Sequence, residues 1–248
     1  MHESLSFYGL LTAVFIAAGL VKGVTGMGLP TIAMALLSLG MPPATAAGLL
    51  LVPSFVTNLW QLLAGPALLP LLRRLWLMMA CILVSTVAAS VWLLRAHPAG
   101  AGLALGLALI LYAAYALYAP ALTLSPRSEK SLAPLVGLIT GAITGATGVF
   151  VMPAVPYLQA LGLDKDDLVQ ALGLSFTLST LALAAGLLVH DALRLEQAGL
   201  SLLAILPALA GMWLGQKLRA RISQKRFRQY FLCFLLLLGG ELVWRAFR

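Results

Sequence analysis

Lys22 stands inside an apolar run, Leu5–Val24, far from any cluster of loop charges. A cation in hydrocarbon is costly unless a partner, a cavity or an anion offsets it. Lys22 is therefore a candidate for neutralising an anionic ligand, the alternative being that it snorkels to an interface from a helix end. It lies within GLVKGVTGMGLP, which begins at Gly19, and a second glycine-rich stretch, GAITGATGVFVMP, begins at Gly141. Breaks of this kind free backbone groups that lipid cannot satisfy, so they persist where the backbone lines a cavity. After each break a short helix is expected to start, near Gly28–Thr31 and near Val149–Pro153, with Pro30 and Pro153 fitting a first turn. Unpaired N–H groups and the positive dipole end at two such starts, converging near the midplane, are suited to cradling one anion.

Hydroxyls and amides extend this set. Thr25 and Thr147 either donate to a bound oxyanion or bond back to the previous turn. Ser54, Thr57, Asn58 and Gln61 share one helical face by i, i+3, i+4, i+7 spacing, and the counterpart segment carries Ser175, Thr177, Ser179 and Thr180. These faces either line a pathway or hydrogen-bond between helices. The candidate substrate-binding positions are thus Lys22, Gly23, Thr25, Gly26, Gly28, Asn58 and Gln61 from the first half. From the second come Thr144, Gly145, Thr147, Gly148, Ser175 and Ser179. Thr144 occupies the place of Lys22, which makes the set asymmetric.

Other chemistries find no support. There is no P-loop, no HExxH and no Ser–His–Asp set, and His2, His97 and His190 all lie at segment ends. No enzyme activity, metal or cofactor is expected. Cys81 and Cys233 lie inside apolar segments with no CxxC partner, and read as buried small hydrophobes. Glu241, beside Trp244 and Arg245, reads as half of an interfacial ion pair.

The elements that must position these residues follow from composition. Of 248 residues 61% are hydrophobic and 10% charged, and mean hydropathy is +1.00. Soluble domains are about 45–50% apolar and roughly 25% charged, so the bilayer is the solvent this chain requires. Apolar stretches occur at Leu5–Val24, Gly28–Leu39, Ala44–Ala64, Leu75–Leu94, Ala101–Ala119, Leu132–Gly148, Val149–Leu161, Leu168–Val189, Gly199–Gly215 and Tyr230–Trp244. Most approach the ~20 residues that span a bilayer. The second and seventh are too short, and each follows a glycine-rich break. The N-terminus lacks the basic region of a cleavable signal peptide and reads as the first membrane helix.

A shift of 122 positions carries Gly19, Gly23, Thr25 and Gly26 onto Gly141, Gly145, Thr147 and Gly148. The spacing G-x-x-x-G-x-T-G thus occurs twice, which argues for duplication. The net charge of +8 sits in short loops, a pattern of cytoplasmic retention and not of nucleic-acid binding. Arg73 and Arg74 mark one positive loop, whereas the equivalent His190–Glu196 has no positive excess. Conversely Arg95–Pro98 carries little charge, while its equivalent opens the basic cluster from Lys217 to Arg228. The bias changes sides between the halves, as an inverted repeat requires. The expected architecture is an all-α polytopic membrane protein of two inverted-topology repeats, about five helical segments each. They occupy 1–119 and 135–248, joined by a cytoplasmic linker over 120–134, with both termini outside. The acidic loop Asp164–Asp167 falls inside on this scheme and reads as a helix cap, through Asp164 or Asp166.

The paired motifs GLVKGVTGMGLP and GAITGATGVFVMP, with the apolar helices around them, resemble the TauE/SafE sulfite-exporter family over nearly the whole chain. The resemblance implies a secondary transporter, commonly an exporter, of sulfite, sulfonates or related carboxylates in the inner membrane. A passive anion channel and a carboxylate transporter stay open as alternatives, as do a coupling ion and a homodimer. The second motif departs from the first in having Val149 and Phe150 where the first has Met27 and Gly28.

Overall fold

The computed structural model describes residues 2–118, 122–193 and 195–248. Eleven helices occupy them: α1 His2–Thr25, α2 Leu29–Leu37, α3 Pro43–Leu63, α4 Leu68–Arg95, α5 Pro98–Tyr118, α6 Pro126–Thr147, α7 Ala154–Ala160, α8 Lys165–Val189, α9 Leu195–Leu203, α10 Ile205–Arg219 and α11 Gln224–Ala246. Seven helical stretches are long and apolar enough to cross a membrane, on α1, α3, α4, α5, α8, α9–α10 and α11. The chain is therefore a multi-pass helical membrane protein. Helix α6, rich in Thr and Gly, is as long as these but less apolar.

Several boundaries depart from expectation for identifiable reasons. Arg73 and Arg74 lie within α4 and not in a loop. No residue between Leu68 and Leu75 breaks the helix except Pro70, and a first turn tolerates proline. The expected segment Gly199–Gly215 is divided at Ala204 into α9 and α10, because Pro207 lacks an N–H and its ring opposes the carbonyl four residues earlier. Helix α7 starts only at Ala154, so Val149–Met152 is not the first helical turn and Pro153 is the N-cap. The expected linker is already helical from Pro126, where Ser125 accepts the Ser128 N–H as a cap. Its expected start at 119–120 lies outside the described residues, as does Arg194 of the His190–Glu196 loop.

Glycines decide which helices touch. A Cβ on Gly19 or Gly23 of α1 would lie 2.2 Å from the carbonyl oxygen of Ala208 or Met212 on α10. Reciprocally, one on Gly211 or Gly215 would lie 2.2 Å from the Ile16 or Leu20 oxygen. Contacts advance together along both chains, so α1 and α10 run parallel at backbone contact, the packing that small-xxx-small patterns permit in lipid. Helices α6 and α4 repeat the arrangement. Gly137, Gly141 and Gly145 face the Met78, Ile82 and Thr86 carbonyls, with Ser85 and Ala89 as the small residues opposite. Helices α5 and α11 cross antiparallel at Gly106 and Gly239. Antiparallel α3 and α8 complete the interior: Gln170 donates to the Leu62 and Gly65 carbonyls and accepts from the Ala67 N–H.

One end of the bundle is basic. Arg74 binds both carboxylate oxygens of Glu129, at 2.6 and 2.8 Å, and reaches the Leu161 carbonyl. That hydrogen bond holds the Glu129 carboxyl, in the first turn of α6, below its ordinary pKa. Lys165, Arg219 and Arg228 border one cavity at this end. At the other end Arg245 pairs with Glu241, as expected, and donates to the Leu39 carbonyl. Asp164 occupies the N-cap of α8 but makes no capping bond, while Asp166 and Asp167 fill the first turn. Both cysteines are free; Cys81 is half-buried, but Cys233 is exposed on the outer side of α11, where hydrocarbon tolerates a thiol.

The α1–α10 contact gives a direct test. Gly19→Leu should prevent recovery of monodisperse protein from detergent, because backbone and not a flexible side chain blocks the new Cβ. Gly9→Leu on the same helix meets nothing within 4 Å and should behave as wild type. Equal melting temperatures for the two variants would overturn the contact.

Candidate functional site

Two helix ends, those of α1 and α6, are closed by the same device. At the first, the Thr25 hydroxyl donates to the Val21 carbonyl at 2.8 Å and accepts the Met27 N–H at 3.2 Å. At the second, Thr147 donates to the Ile143 carbonyl at 2.6 Å and accepts the Val149 N–H at 3.2 Å. The two threonines thus satisfy the backbone that the breaks release. Gly26 and Gly148 follow with φ of 79° and 69° and donate to the carbonyls of Lys22 and Thr144, both at 2.7 Å. Side chains with a Cβ rarely adopt this left-handed geometry.

Lys22, four residues before Gly26, is 3% exposed. Its ammonium donates to the Asn58 side-chain carbonyl on α3. The Asn58 amide in turn faces the Thr180 hydroxyl of α8 at 3.5 Å, and that hydroxyl is spent on the Phe176 carbonyl. Among the described residues Lys22 therefore has one hydrogen-bond partner for three donors. It also lines a cavity of about 140 Å³ with Gly23, Gly26, Thr57, Gln61 and Arg219. A Cβ on Gly26 would meet nothing within 4 Å, so the break presents open backbone beside the ammonium. This corner holds two cations, amides and one hydroxyl in a space sized for a small anion.

The other candidate positions divide. Gln61 borders the same cavity and donates to the Val169 carbonyl. Gly23 lines it too, although helix packing against Met212 already accounts for the missing side chain. Gly28 faces the Phe231 ring and Val21, an apolar setting. Thr144 bonds the Val149 carbonyl, and Gly145 abuts the Thr86 carbonyl. Gly148 lies against Met34 of α2, and Val149, Phe150 and Val151 are fully buried. None of the second-break residues lines the Lys22 cavity. Ser175 and Ser179 are buried on α8 with hydroxyls that meet no partner among the described residues, as is Ser54 on α3.

A second cavity, of about 190 Å³, adjoins the first through Val169 and Arg219. Lys165, Arg228 and Gln159 border it, and Tyr112 and Phe231 line its interior. Sequence reasoning passed over these residues, since the cations read as ordinary loop charges. It also passed over Ser201 on α9. Pro53 inside α3 cannot bond the Leu49 carbonyl, and the Ser201 hydroxyl takes it at 2.8 Å. The proline was a visible signal that some donor must arrive from elsewhere.

The chain is thus a multi-pass helical membrane protein with a buried lysine beside a broken helix. The chain belongs to the sulfite exporter TauE/SafE family, whose model matches residues 11–242. No curated protein and no solved structure matches it.

The Lys22–Asn58 bond yields a double-mutant cycle. Asn58→Leu removes the acceptor from a buried ammonium and should destabilise the protein by about 1.5–3 kcal/mol. Lys22→Met/Asn58→Leu removes both partners and should recover most of that loss. Additive losses in thermal melts would mean that the two side chains do not interact.

Proposed function

We propose that the chain is a secondary transporter, working in the export direction, for sulfite or a small organosulfonate bound at Lys22. The observation that carries this reading is the buried ammonium, with unused donor capacity, facing a small cavity beside an open helix break. An oxyanion there would take charge-assisted hydrogen bonds from Lys22, while Gln61 and Thr57 border the same space. Membership of a sulfite-exporter family supports the substrate class. Small carboxylates share the negative charge but present two acceptor oxygens where sulfite and sulfonates present three.

Movement by alternating access of two inverted repeats is the mechanism we favour. Its support is the correspondence of interactions under the shift of 122 residues. Thr25 to Val21 maps onto Thr147 to Ile143, and Gly26 to Lys22 maps onto Gly148 to Thr144. Asn58 meets Thr180, its own counterpart, 122 positions away. The α1–α10 pairing matches α6–α4, and α1 ends at the basic end where α6 begins. In this reading residues 1–119 and 135–248 form the two repeats. The basic end faces the cytoplasm, by the retention of Lys and Arg, and both termini lie outside the inner membrane.

Thermal stabilisation by an anion panel tests the proposal. Sulfite or a short sulfonate should raise the melting temperature of wild type, and at a hundred times Kd the stabilisation reaches about 2.7 kcal/mol. Lys22→Gln should abolish both this shift and saturable counter-transport in proteoliposomes. Wild-type transport by Lys22→Gln would remove Lys22 from the site.

A further inference from the structure

The cavity that adjoins the Lys22 site differs from it in chemistry. Its rim carries three cations from three helices, Lys165 of α8, Arg219 of α10 and Arg228 of α11, and none of its described lining residues is acidic. Lys165 and Arg228 are exposed and Arg219 is half-buried, so the cations stand at the mouth on the basic end. Deeper in, the walls are apolar, with Met27, Leu172 and Phe231 among them. At the inner wall lies Tyr112, 2% exposed. Among the described residues its hydroxyl meets only the Met27 sulfur, at 3.5 Å, and a thioether is a weak acceptor. A buried phenol would ordinarily bond a stronger group, so a polar partner for it is missing.

Hydrated inorganic sulfite would gain the rim but nothing from these walls. An organic anion with a short apolar body would use both, because its charged head pairs with the cations while its hydrocarbon covers Leu172 and Phe231. Arg219 borders both cavities, which puts the head group of such a molecule next to the Lys22 chamber. We propose that this basic-mouthed cavity is a capture site for a monovalent organic anion, a sulfonate or carboxylate carrying a short alkyl or aryl body, in series with Lys22. The proposal rests on the transporter reading of the neighbouring cavity and extends it to a second site. It also predicts substrate preference: carriage of an organic anion over the bare inorganic one.

Binding of methane-, ethane-, propane- and butanesulfonate to the full chain, in nanodiscs of zwitterionic lipid, tests it by titration calorimetry. Affinity should rise about three- to four-fold per methylene, the gain for burying a CH₂, with sulfite weakest of the set. Arg228→Gln lies at an exposed position and should fold; it should weaken butanesulfonate binding about ten-fold. Leu172→Ala, which leaves the rim intact, should flatten the chain-length series. Lys22→Gln should lose transport yet still bind butanesulfonate. Four results would overturn the proposal: no chain-length dependence, no binding at all, full affinity in Arg228→Gln, or loss of binding when phosphatidylglycerol is added, which would assign the rim to lipid head groups. Loss of butanesulfonate binding in Lys22→Gln with full affinity in Arg228→Gln would leave the Lys22 site standing without this one. Undiminished transport by Lys22→Gln, together with loss in Arg228→Gln, would do the reverse.

Discussion

An ammonium group held away from water must find an acceptor that is itself oriented, and here that acceptor is the Asn58 carbonyl. Much of the interior follows from that pairing. For Asn58 to present its oxygen to α1, its amide must point elsewhere, and it points to Thr180 of α8. Helix α3 therefore has to touch α1 on one face and α8 on another, with both contacts in register. Gln61 and Gln170 set that register, each bonding backbone of the opposite helix. Glycine on α1 brings α10 within backbone contact behind Lys22, which encloses the cation from the far side. Residues of all four helices, α1, α3, α8 and α10, border the Lys22 cavity.

The second requirement is that no broken helix leave its backbone unpaired, since lipid offers no replacement bond. Thr25 and Thr147 meet it by donating to one turn and accepting from the next residue but one. Pro53 raises the same problem inside α3, and Ser201 meets it from α9. Each such hydroxyl is worth about 1 kcal/mol net, while an unmet carbonyl in hydrocarbon costs several. Satisfying every freed group therefore outweighs any intrinsic helix propensity of threonine or serine. It also withdraws Thr25 and Thr147 from the donors available to a ligand, and with the Gly26 N–H bonded to the Lys22 carbonyl it leaves Lys22 and the second N–H of Gln61.

Much of this was legible in the sequence. Hydropathy located the crossing segments because lipid demands long apolar runs, and α1 and α6 end at Thr25 and Thr147, inside the two glycine-rich stretches. Lys22 stood out as a charge with no loop around it, and the structure buries it. The glycines were harder to read. Spacing alone does not distinguish a glycine kept for packing, such as Gly145 against the Thr86 carbonyl, from one kept for left-handed geometry, such as Gly26. Arg74 looked like a loop marker because charge was weighed over helix continuity. Gln170 and Ser201 were invisible, since their partners lie about a hundred residues or more away. Lys165, Arg219 and Arg228 form a shared rim only once three helix ends are brought together.

The two breaks, alike in hydrogen bonding, differ in what surrounds them. Around the first, Gly26 opens on a cavity and Lys22 faces into it. Around the second, Met34 fills the space at Gly148, Thr144 turns its hydroxyl to the Val149 carbonyl, and Val149 to Val151 are fully buried. One break is thus polar and hollow, the other apolar and packed. An anion placed between two equal positive sites would be shared, whereas here the only fully buried cation among the described residues, Lys22, belongs to one side. The positive charge is concentrated where the cavity is. On the proposed reading, one hollow and one packed break suit a carrier, whereas an open pore would need both breaks hollow at once.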